Sequence, residues 1–395
     1  MTVLELPSWY LPEGGQFVRQ QALALRQAGV EVHILACVTL SVRKYGWQAF
    51  HLRRYYARPR WTVEDGIPVL RVFMRAIPMM PILTIRLWAQ RVLRLYRLYR
   101  QRYGDPDLIH VHSGTWGAYA AALIKQRYHV PYLVTEHRGM FGCRCEMARR
   151  FFRPEFEPFF RIGLSNADML LPVSEQLTPK MLSFCTRPVP VRVIGNMVDT
   201  DFFRPDSEPR PHRPFRFVTV CSYVPEKGYD ILLQAWDIFC DRHKEVQLTM
   251  VGGDFDHLPF TDLLARCRHK DRICFPGRLD RDGVRSQLSG ADAYVLASRV
   301  ESYSMATVEG MSMGLPVVGT DVLPAQVLTP DCGIRTAIED PQALAQAMAR
   351  LMAHYADYDA AAIRNHAVAI ARPEGIAEQL TDAFRKVLSA KRLSK

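Results

Sequence analysis

Residues 293–319 read AYVLASRVESYSMATVEGMSMGLPVVG, and their pattern identifies the fold class. The apolar run AYVLAS predicts a buried strand, MATVEGMSM at 305–313 predicts a helix that stops at Gly314, and LPVVGTD predicts a second strand. A strand, a helix and a strand in this order form a βαβ unit, which implies a parallel sheet. The stretch therefore places the second half of the chain in the α/β class.

Two carboxylates lie on either side of the predicted helix start, Glu301 in the preceding loop and Glu309 inside the helix. With Ser304 as N-cap, the amides of Met305 and Ala306 point toward the loop, where an anion such as a diphosphate is stabilised. Glu309 lies about 7.5 Å further along the helix axis. That is about the reach from a diphosphate to the ribose hydroxyls of the same nucleotide, which a carboxylate accepts in pairs. Taken alone, the two glutamates are better explained as solvated surface charges.

The alternation of strands and helices continues through the 395 residues, which exceed the size of a single core. Strand patterns at 3–8, 30–37, 107–113, 131–137 and 168–174 predict a doubly wound parallel sheet in the first half. The segment RPDSEPRPHRP near 204–214 is a linker by composition, and a second alternation follows it. We therefore expect domains at 1–205 and 206–372, with a final helix at about 373–395 that packs back on the first.

Open parallel sheets bind ligands beyond the carboxyl ends of their strands. In the first half, the glycines and polar residues predicted at these ends are Gly14, Gly15, His112, His137 and Ser174. In the second half they are Ser222, Lys227, Gly228, Gly252, Gly253, Gly277, Arg278, Ser298 and Glu301. Singly, such glycines serve turns and such histidines and lysines are structural or solvated. Their shared placement indicates two Rossmann-like sheets facing a central cleft, in which Lys227 is a cation suited to phosphate.

The net charge of +11 is unevenly distributed. Residues 1–205 contain 28 lysines and arginines against 15 acidic residues, whereas residues 206–395 contain 23 against 25. Residues 66–104 have no acidic residue, and their arginines alternate with apolar residues in the pattern of a basic amphipathic helix. This helix suits an anionic membrane surface, but an ordinary domain helix with solvated arginines fits equally. A nucleic-acid surface is disfavoured because no recognised reading motif is present.

Composition also predicts the compartment. No run approaches the roughly 18 to 20 apolar residues of a membrane span, and the N-terminus has no signal-peptide pattern. The nine cysteines lack CxxC pairs and metal-ligand spacing, so we expect reduced, buried thiols and no metal. These features favour a cytoplasmic protein, with a peripheral position on the inner face of the plasma membrane as the membrane-binding alternative.

Several motifs together resemble a known family. VCSYVPEKGYDILLQA, LTMVGG, ICFPG and the Glu-x7-Glu spacing of Glu301 and Glu309 are similar to the nucleotide-sugar domain of the retaining GT-B glycosyltransferases of family four. PEGGQFVRQQALALRQAGVEVHIL, DLIHVH, LVTEH and PVSE follow the order of the first domain of that family. The resemblance implies a nucleoside-diphosphate sugar as co-substrate, no metal or other cofactor, and transfer with retention of the anomeric configuration.

The resemblance also implies roles for individual residues. Lys227 and the amide of Gly15 contact the diphosphate, Glu309 holds the ribose, and Glu301 and His137 address the donor sugar. The remaining residues expected at the donor nucleotide-sugar are Gly14, Ser222, Gly253, Arg278 near the base, Ser304, and the Met305 and Ala306 amides. The catalytic set is then His137, Lys227 and Glu301.

Two positions depart from the family pattern. Ser222 stands where the family commonly has a phosphate-binding arginine, and Gly310 stands where it usually has alanine. A hydroxyl does not replace a bidentate guanidinium, so a lapsed nucleotide-sugar-binding scaffold stays open as an alternative function. A nucleotide-sugar epimerase is another, because it shares the scaffold, whereas PEGGQF lacks the GxGxxG spacing of a dehydrogenase.

The expected function is transfer of a sugar to a hydroxyl of a lipid-linked glycan in cell-surface polysaccharide biosynthesis. The basic, aromatic segment RRFFRPEFEPFFR at 149–161 suits such an acceptor, which the first domain is expected to bind.

Overall fold

The computed structural model describes residues 1–11, 14–40, 58–143, 146–205, 214–253 and 258–393. Most of the predicted linker, residues 206–213, therefore lies outside the described residues. The chain divides into two compact units by its internal packing. The first unit comprises Met1–Phe141, Glu146–Met197 and Pro373–Lys395, and the second comprises Gly142–Cys145 and Val198–Arg372.

The first unit contains a seven-stranded sheet in the order β3-β4-β2-β1-β5-β6-β7. Its strands are β1 (Thr2–Pro7), β2 (Glu31–Leu40), β3 (Arg60–Glu64), β4 (Ile67–Arg75), β5 (Leu108–His112), β6 (Tyr132–Glu136) and β7 (Met169–Pro172). All neighbours pair in parallel except β3 with β4. β5, β6 and β7 are buried throughout, as expected where helices cover both faces of a parallel sheet.

The antiparallel β3–β4 hairpin is an element that the sequence analysis did not predict. Asp65 and Gly66 connect its strands, with φ of 50° and 76°. Positive φ at both central residues is the requirement of the tight hairpin turn that Asp-Gly favours. The hairpin therefore extends the edge of the sheet and breaks the run of residues 66–104 into a strand and a helix.

The first unit also contains seven α-helices among the described residues. They are α1 (Gln16–Gln27), α2 (Pro81–Tyr103), α3 (Trp116–Tyr128), α4 (Met147–Phe151), α5 (Glu157–Ser165), α6 (Thr178–Leu182) and α13 (Pro373–Leu393). α13 packs against α1, and its Ile376, Leu380 and Phe384 lie in one core with Val18 and Ala22 of α1. The C-terminal helix thus completes the core of the first unit.

The second unit contains a six-stranded, all-parallel sheet in the order β10-β9-β8-β11-β12-β13. Its strands are β8 (Phe215–Val220), β9 (Val246–Val251), β10 (Ile273–Gly277), β11 (Ala293–Leu296), β12 (Val317–Thr320) and β13 (Gly333–Thr336). Its helices are α7 (Tyr229–Cys240), α8 (Leu258–Arg266), α9 (Arg281–Ser289), α10 (Met305–Ser312), α11 (Pro341–Ala353) and α12 (Ala360–Ala371). The strand order reverses between β8 and β11, so their carboxyl ends flank a topological switch point where ligands bind.

Only the second part of the predicted basic amphipathic segment is a helix, namely α2. Arg71 and Arg75 lie on β4, and Arg71 forms an ion pair with Glu64. The apolar residues along one side of α2, including Trp88 and Tyr96, are buried. Its apolar face therefore serves the core of the first unit and leaves the arginines outside. No helix among the described residues combines the length and the apolar character needed to cross a membrane.

The expectation of nine reduced, buried thiols is wrong in part. Cys143 is disulfide-bonded. Of the free thiols among the described residues, Cys185 and Cys221 are half-buried and Cys274 is exposed. Cys37, Cys240, Cys267 and Cys332 are buried free thiols. Spacing alone did not predict the bonded cysteine, because Cys143 belongs to no CxxC motif.

Candidate functional site

The loop that carries Lys227 packs directly on the loop that follows β11. Gly228 has φ of 62°, and a Cβ at this position would lie 2.0 Å from the carbonyl oxygen of Ala297. Glycine is therefore required both by the left-handed backbone and by the close approach. This contact brings the start of α7 against the segment that carries Ser298 and Glu301.

Lys227 and Glu301 form a close ion pair at the carboxyl end of the second sheet. Lys227 Nζ lies 2.6 Å from Glu301 Oε1, and the Ser298 hydroxyl donates to the same oxygen at 2.7 Å. The Glu301 side chain is 6% exposed and that of Lys227 is 25% exposed, so the cation retains a solvent-facing side. Burial lowers the pKa of Lys227, but the Glu301 carboxylate outweighs it and the pKa is raised overall. Lys227 is therefore a positioned ammonium ion.

Arg299 ties the loops of Lys227 and Glu301 together, and the sequence analysis missed it. Its guanidinium donates to both carboxylate oxygens of Asp230, at 2.8 and 2.7 Å, and to the Pro225 carbonyl at 2.8 Å. It also binds Glu339, and its own amide donates to the Glu226 carbonyl. Arg299 thereby anchors the turn before Lys227, the first turn of α7 and the loop of Glu301 at one point.

The start of α10 is open toward the same loops. Ser304 occupies the N-cap position with φ of 64°, but its side chain makes no capping hydrogen bond, contrary to the expected capping role. Its hydroxyl pairs with that of Thr307 at 2.8 Å instead. Among the described residues no acceptor lies on the Met305 and Ala306 amides, so two N–H groups with the positive end of the helix dipole stay available to an anion.

Glu309 lies within α10 and is half-buried. Burial raises its pKa from 4.5 to about 7, and Arg281 offsets this only in part. Its side chain makes no hydrogen bond among the described residues. Gly310 follows it, and a Cβ there would lie 2.9 Å from the ring of Tyr294 on β11. This close approach of α10 to the sheet explains glycine where the family pattern has alanine.

Three further predicted residues come together after β8, β9 and β10. A Cβ on Gly253 would lie 3.1 Å from Nε of Arg278, so the guanidinium lies directly over this glycine. Tyr223, the residue after Ser222, donates its amide to the Gly253 carbonyl at 3.0 Å. The exposed guanidinium of Arg278 thus lies beside the loop in which Ser222 replaces the expected arginine.

In the first unit, Gly14 and Gly15 form the turn between β1 and α1. Their φ angles are 122° and 79°, and a Cβ on Gly15 would lie 2.7 Å from the Trp9 carbonyl oxygen. Gly15 is the N-cap of α1, and the ring of Phe17 in the first turn lies 4.4 Å from that of His137. The glycine turn and His137 are therefore neighbours. Ser174 is fully buried, and its hydroxyl has no hydrogen-bond partner among the described residues.

His137 is the end of a chain of buried hydrogen bonds. His112 Nε2 lies 2.7 Å from Glu5, and His112 Nδ1 lies 3.0 Å from His137 Nε2. His137 Nδ1 lies 2.8 Å from the side-chain amide of Asn196. Burial pulls the pKa of Glu5 upward, but His110 and His112 outweigh it and hold the pKa at about 2. Glu5 is therefore an ionised acceptor at the base of the chain.

The proton positions follow from this acceptor. Burial lowers the pKa of His112 and lowers that of His137 well below its ordinary value, so both rings are neutral. His112 then donates from Nε2 to Glu5 and accepts at Nδ1 from His137. This leaves His137 Nδ1 without a proton. The Asn196 atom 2.8 Å from it is Oδ1, so the amide must be turned over for its NH₂ group to donate there. Both ring nitrogens of His137 are thus engaged within the first unit.

The residues Glu5, His110 and His112 are of types that could also hold a metal ion. His110 lies 3.0 Å from Glu5 and 2.7 Å from the Thr135 hydroxyl. These separations, with the 2.7 Å contact of His112, are those of hydrogen bonds between the side chains themselves. We interpret the group as a proton-ordered network that orients His137.

Comparison with known proteins gives the same assignment for both units. Residues 14–202 match the model described as Glycosyltransferase Family 4, and residues 214–354 match the model described as Glycosyl transferases group 1. The chain belongs to the family 4 glycosyltransferases. The two matched ranges of this family 4 glycosyltransferase contain the catalytic candidates His137, Lys227 and Glu301.

Relatives of this family 4 glycosyltransferase include TuaC of Bacillus subtilis, named as a teichuronic acid biosynthesis glycosyltransferase. It is 26% identical over 327 residues, which cover 80% of this chain and 79% of TuaC. WcaL of Salmonella typhimurium, named as a colanic acid biosynthesis glycosyltransferase, is 26% identical over 207 residues, or 50% of each chain. The GPI3 component of the phosphatidylinositol N-acetylglucosaminyltransferase of Saccharomyces cerevisiae is 28% identical over 166 residues, which cover 40% of this chain and 37% of GPI3.

Solved structures establish the fold of the family 4 glycosyltransferase as GT-B. Sucrose-phosphate synthase of Thermosynechococcus elongatus superposes with a TM-score of 0.78 at 20% identity, covering 99% of this chain and 100% of that chain. HepE of Anabaena in complex with UDP superposes with a TM-score of 0.71 at 15% identity, covering 98% and 100%. The predicted architecture of two parallel-sheet α/β domains is thereby confirmed.

Proposed function

We propose that this glycosyltransferase moves a sugar from a nucleoside-diphosphate sugar to a hydroxyl of a lipid-linked glycan, with retention and without a metal. The observation that carries the proposal is the Lys227–Glu301 ion pair, 2.6 Å long, beside the uncapped start of α10. The ammonium ion and the Met305 and Ala306 amides supply positive charge for a leaving diphosphate. The neighbouring carboxylate supplies an acceptor for a sugar hydroxyl.

The reaction requires the bond between the anomeric carbon and the diphosphate oxygen to break. The electron pair goes to the leaving phosphate, so donors already positioned there stabilise the transition state most strongly. The acceptor oxygen forms its bond to the same face of the anomeric carbon, and its proton passes to the leaving phosphate oxygen. No carboxylate nucleophile is needed, which leaves Glu301 to orient the sugar.

We assign the other predicted residues to contacts with the remaining parts of the donor. Glu309 accepts the ribose hydroxyls, and the amide of Gly15, next to Gly14, contacts the diphosphate. His137 addresses the sugar by exchanging the contact between its Nδ1 and Asn196 for a sugar hydroxyl. Gly253 leaves room for the nucleotide beside Arg278.

A panel of nucleotides tests the donor assignment. Thermal shift with UDP, GDP and ADP and their common sugars, in EDTA, should give stabilisation by one nucleotide in the wild type. Glu309→Ala should lose that stabilisation, and the exposed control Glu378→Ala should retain it. Stabilisation that appears only after a divalent cation is added would contradict the metal-free assignment.

A lapsed binding scaffold is the second candidate, because Ser222 replaces the arginine of the family pattern. Arg278 lies over Gly253, next to this loop, and instead of the expected role near the base we propose that its guanidinium supplies the missing phosphate cation. Arg278→Met should then lower kcat by about tenfold or more, whereas the exposed Arg242→Met should not. Tight nucleotide binding without turnover would favour the scaffold, and a product containing an altered sugar nucleotide without transfer would indicate the epimerase.

Two observations support the proposed acceptor and the proposed location at the membrane. TuaC and WcaL are named for the biosynthesis of teichuronic and colanic acids, which supports a cell-surface polysaccharide. Arg86, Arg94 and Arg97 lie exposed along one face of α2, with no ion pair among the described residues. Met79, before the helix, is 99% exposed. This surface fits the anionic inner leaflet, with each basic residue contributing about 1 kcal/mol.

Vesicle binding tests the membrane proposal. At low salt, vesicles containing anionic lipid should retain the wild type, and Arg86→Gln/Arg94→Gln/Arg97→Gln should bind at least about tenfold more weakly. The control Arg242→Gln/Arg266→Gln/Arg350→Gln removes the same charge from exposed positions of the second unit. Equal binding by the two triple variants would contradict a role for α2.

A further inference from the structure

Arg138 lies directly after His137, at the carboxyl end of β6, in surroundings unusual for an arginine. Its guanidinium carbon lies 4.8 Å from the ring centroid of Trp9 and 5.3 Å from that of Phe151. Nη1 donates to the Thr115 hydroxyl at 3.1 Å. The side chain is half-buried between aromatic rings, and its remaining nitrogens, Nε and Nη2, have no hydrogen-bond partner among the described residues.

The neighbouring carboxylate does not neutralise this cation. Glu136 is fully buried, and its two oxygens accept from the amides of Gly114, at 2.6 Å, and Arg138, at 2.9 Å. It forms no ion pair with the Arg138 guanidinium among the described residues. Burial lowers the pKa of Arg138, and Glu136 offsets this only in part. The guanidinium is thus held in a partly desolvated position and has no ion-pair partner among the described residues.

The N-terminus of the adjacent helix α3 adds positive potential near Arg138 and does not compensate for its charge. Thr115 is the N-cap of α3, yet its hydroxyl makes no capping bond and accepts from Arg138. A helix N-terminus favours anions and disfavours cations. Ser113 precedes this cap with φ of 101°, a strained angle for a non-glycine residue. A guanidinium without an ion pair among the described residues and a strained backbone lie at the ends of the neighbouring strands β6 and β5, and both are expected where a ligand completes the arrangement.

We propose that Arg138, the Thr115 hydroxyl and the Trp9 ring form an oxyanion-binding subsite for the acceptor. This inference rests on the proposed function and names the acceptor class, a glycan whose reactive end carries a phosphate or a carboxylate. The free Nε and Nη2 of Arg138 present a planar pair of donors, which matches either oxyanion in a bidentate contact. The Trp9 ring offers an apolar face to the attached sugar.

The donor diphosphate is an unsuitable occupant for this subsite. Lys227 and the α10 amides of the second unit already provide the donor with an ammonium ion and two N–H groups. Arg138 belongs to the first unit, and its surroundings are aromatic, with the rings of Trp9 and Phe151 on the guanidinium. An anion linked to a sugar and an apolar carrier fits this combination.

Titration calorimetry in a Lys227→Met background separates the two anion sites. The probes are inorganic diphosphate and glucuronate, which carry the phosphate and the carboxylate alternatives. Lys227→Met should still bind one of the probes at one site. Adding Arg138→Met should weaken that binding at least about tenfold, whereas adding Arg161→Met, an exposed arginine of the same unit, should not change it.

The outcomes are distinguishable from failure of the proposed donor site. The single variant Arg138→Met should retain nucleotide stabilisation, and its Tm should equal or exceed that of the wild type, because an uncompensated charge is removed while the packed stem is kept. The proposal is overturned if Lys227→Met binds neither probe, or if Arg138→Met leaves the binding of both unchanged. The probe that binds identifies the oxyanion.

Discussion

Lys227 Nζ and Glu301 Oε1 are 2.6 Å apart, although the two residues are 74 positions apart in the chain. If each acts at the transition state, Lys227→Met and Glu301→Gln should each lower kcat by about a hundredfold, or about 2.7 kcal/mol. Lys227→Met should also lower stability by roughly 1–3 kcal/mol, because it leaves a buried carboxylate without its cation. Single-turnover assays and thermal melts measure the two effects.

A variant with both residues replaced distinguishes the effect of the ion pair on stability from its effect on catalysis. Lys227→Met/Glu301→Gln should recover part of the lost Tm and none of the activity, since the buried charge is gone but the leaving group is still unsupported. Lys270→Met removes an equal charge from the opposite end of the sheet and is the matched control. Activity near that of the wild type in Lys227→Met would remove this residue from the mechanism.

Glu309 should make stability and nucleotide binding depend on pH. Its folded-state pKa of about 7 lies above the 4.5 of an unperturbed glutamate. As pH rises from 4.5 to 7 the unfolded chain loses this proton first, so the folded state loses stability relative to Glu309→Gln. The Tm of the wild type minus the Tm of Glu309→Gln should therefore fall across this window, and a difference that stays constant would contradict the raised pKa.

The same carboxylate should control the donor. The ribose hydroxyls donate to the ionised form, so nucleotide affinity should rise as pH passes about 7 in the wild type and stay flatter in Glu309→Gln. Calorimetry at pH values below and above 7 measures the nucleotide affinity of both proteins. The Glu309→Gln profile corrects for titration of the nucleotide itself. Parallel profiles for the two proteins would show that the ribose is held elsewhere.

Arg299 should act as a positioning residue. Arg299→Met removes the bonds to Asp230, Glu339 and the Pro225 carbonyl, so the loops of Lys227 and Glu301 lose their common anchor. We expect kcat to fall about tenfold or more with a smaller change in donor KM, because the donor still meets Glu309 and the α10 amides. Arg268→Met, which breaks an exposed bidentate pair with Asp241, is the control. A proportional loss of Tm and kcat in both variants would indicate a purely structural role.

Asn196→Asp should change the protonation of His137. An aspartate can only accept at His137 Nδ1, so the ring must gain a proton there and its pKa should rise from a value well below the ordinary one. Imidazole signals of His137 followed by NMR should then titrate at a higher pH than in the wild type. Asn166→Asp, at an exposed position, should leave these signals unchanged.

The sequence was sufficient to predict the architecture of two parallel-sheet domains, whereas the donor-site residues stay a prediction. Strand ends could be located because parallel strands are apolar throughout, and the helix that carries Glu309 ends before Gly314, as its pattern indicated. The role of Ser304 was predicted less well. An N-cap residue type specifies the position, but which partner its hydroxyl takes depends on the neighbouring Thr307.

Arg138 and Arg299 could not be identified from the sequence. The role of each depends on groups distant in the chain: Arg138 contacts Trp9, and Arg299 binds Asp230. In the sequence alone, an isolated arginine is interpreted as a solvated charge. The β3–β4 hairpin had a local signal in Asp65–Gly66, but the arginine-rich pattern that follows the turn drew β4 into a predicted helix. The helix prediction was wrong there because the longer periodic pattern was given more weight than the two-residue turn signal.

The return of α13 to the first unit determines the order in which the chain can fold during synthesis. Residues Val198–Arg372 are nearly all of the second unit and leave the ribosome as one continuous segment, so that unit can close while translation continues. The first unit waits for its own last helix, because Leu380 and Phe384 complete the apolar core around Val18. Until this helix has been made and has docked, the N-terminal sheet keeps an open hydrophobic face.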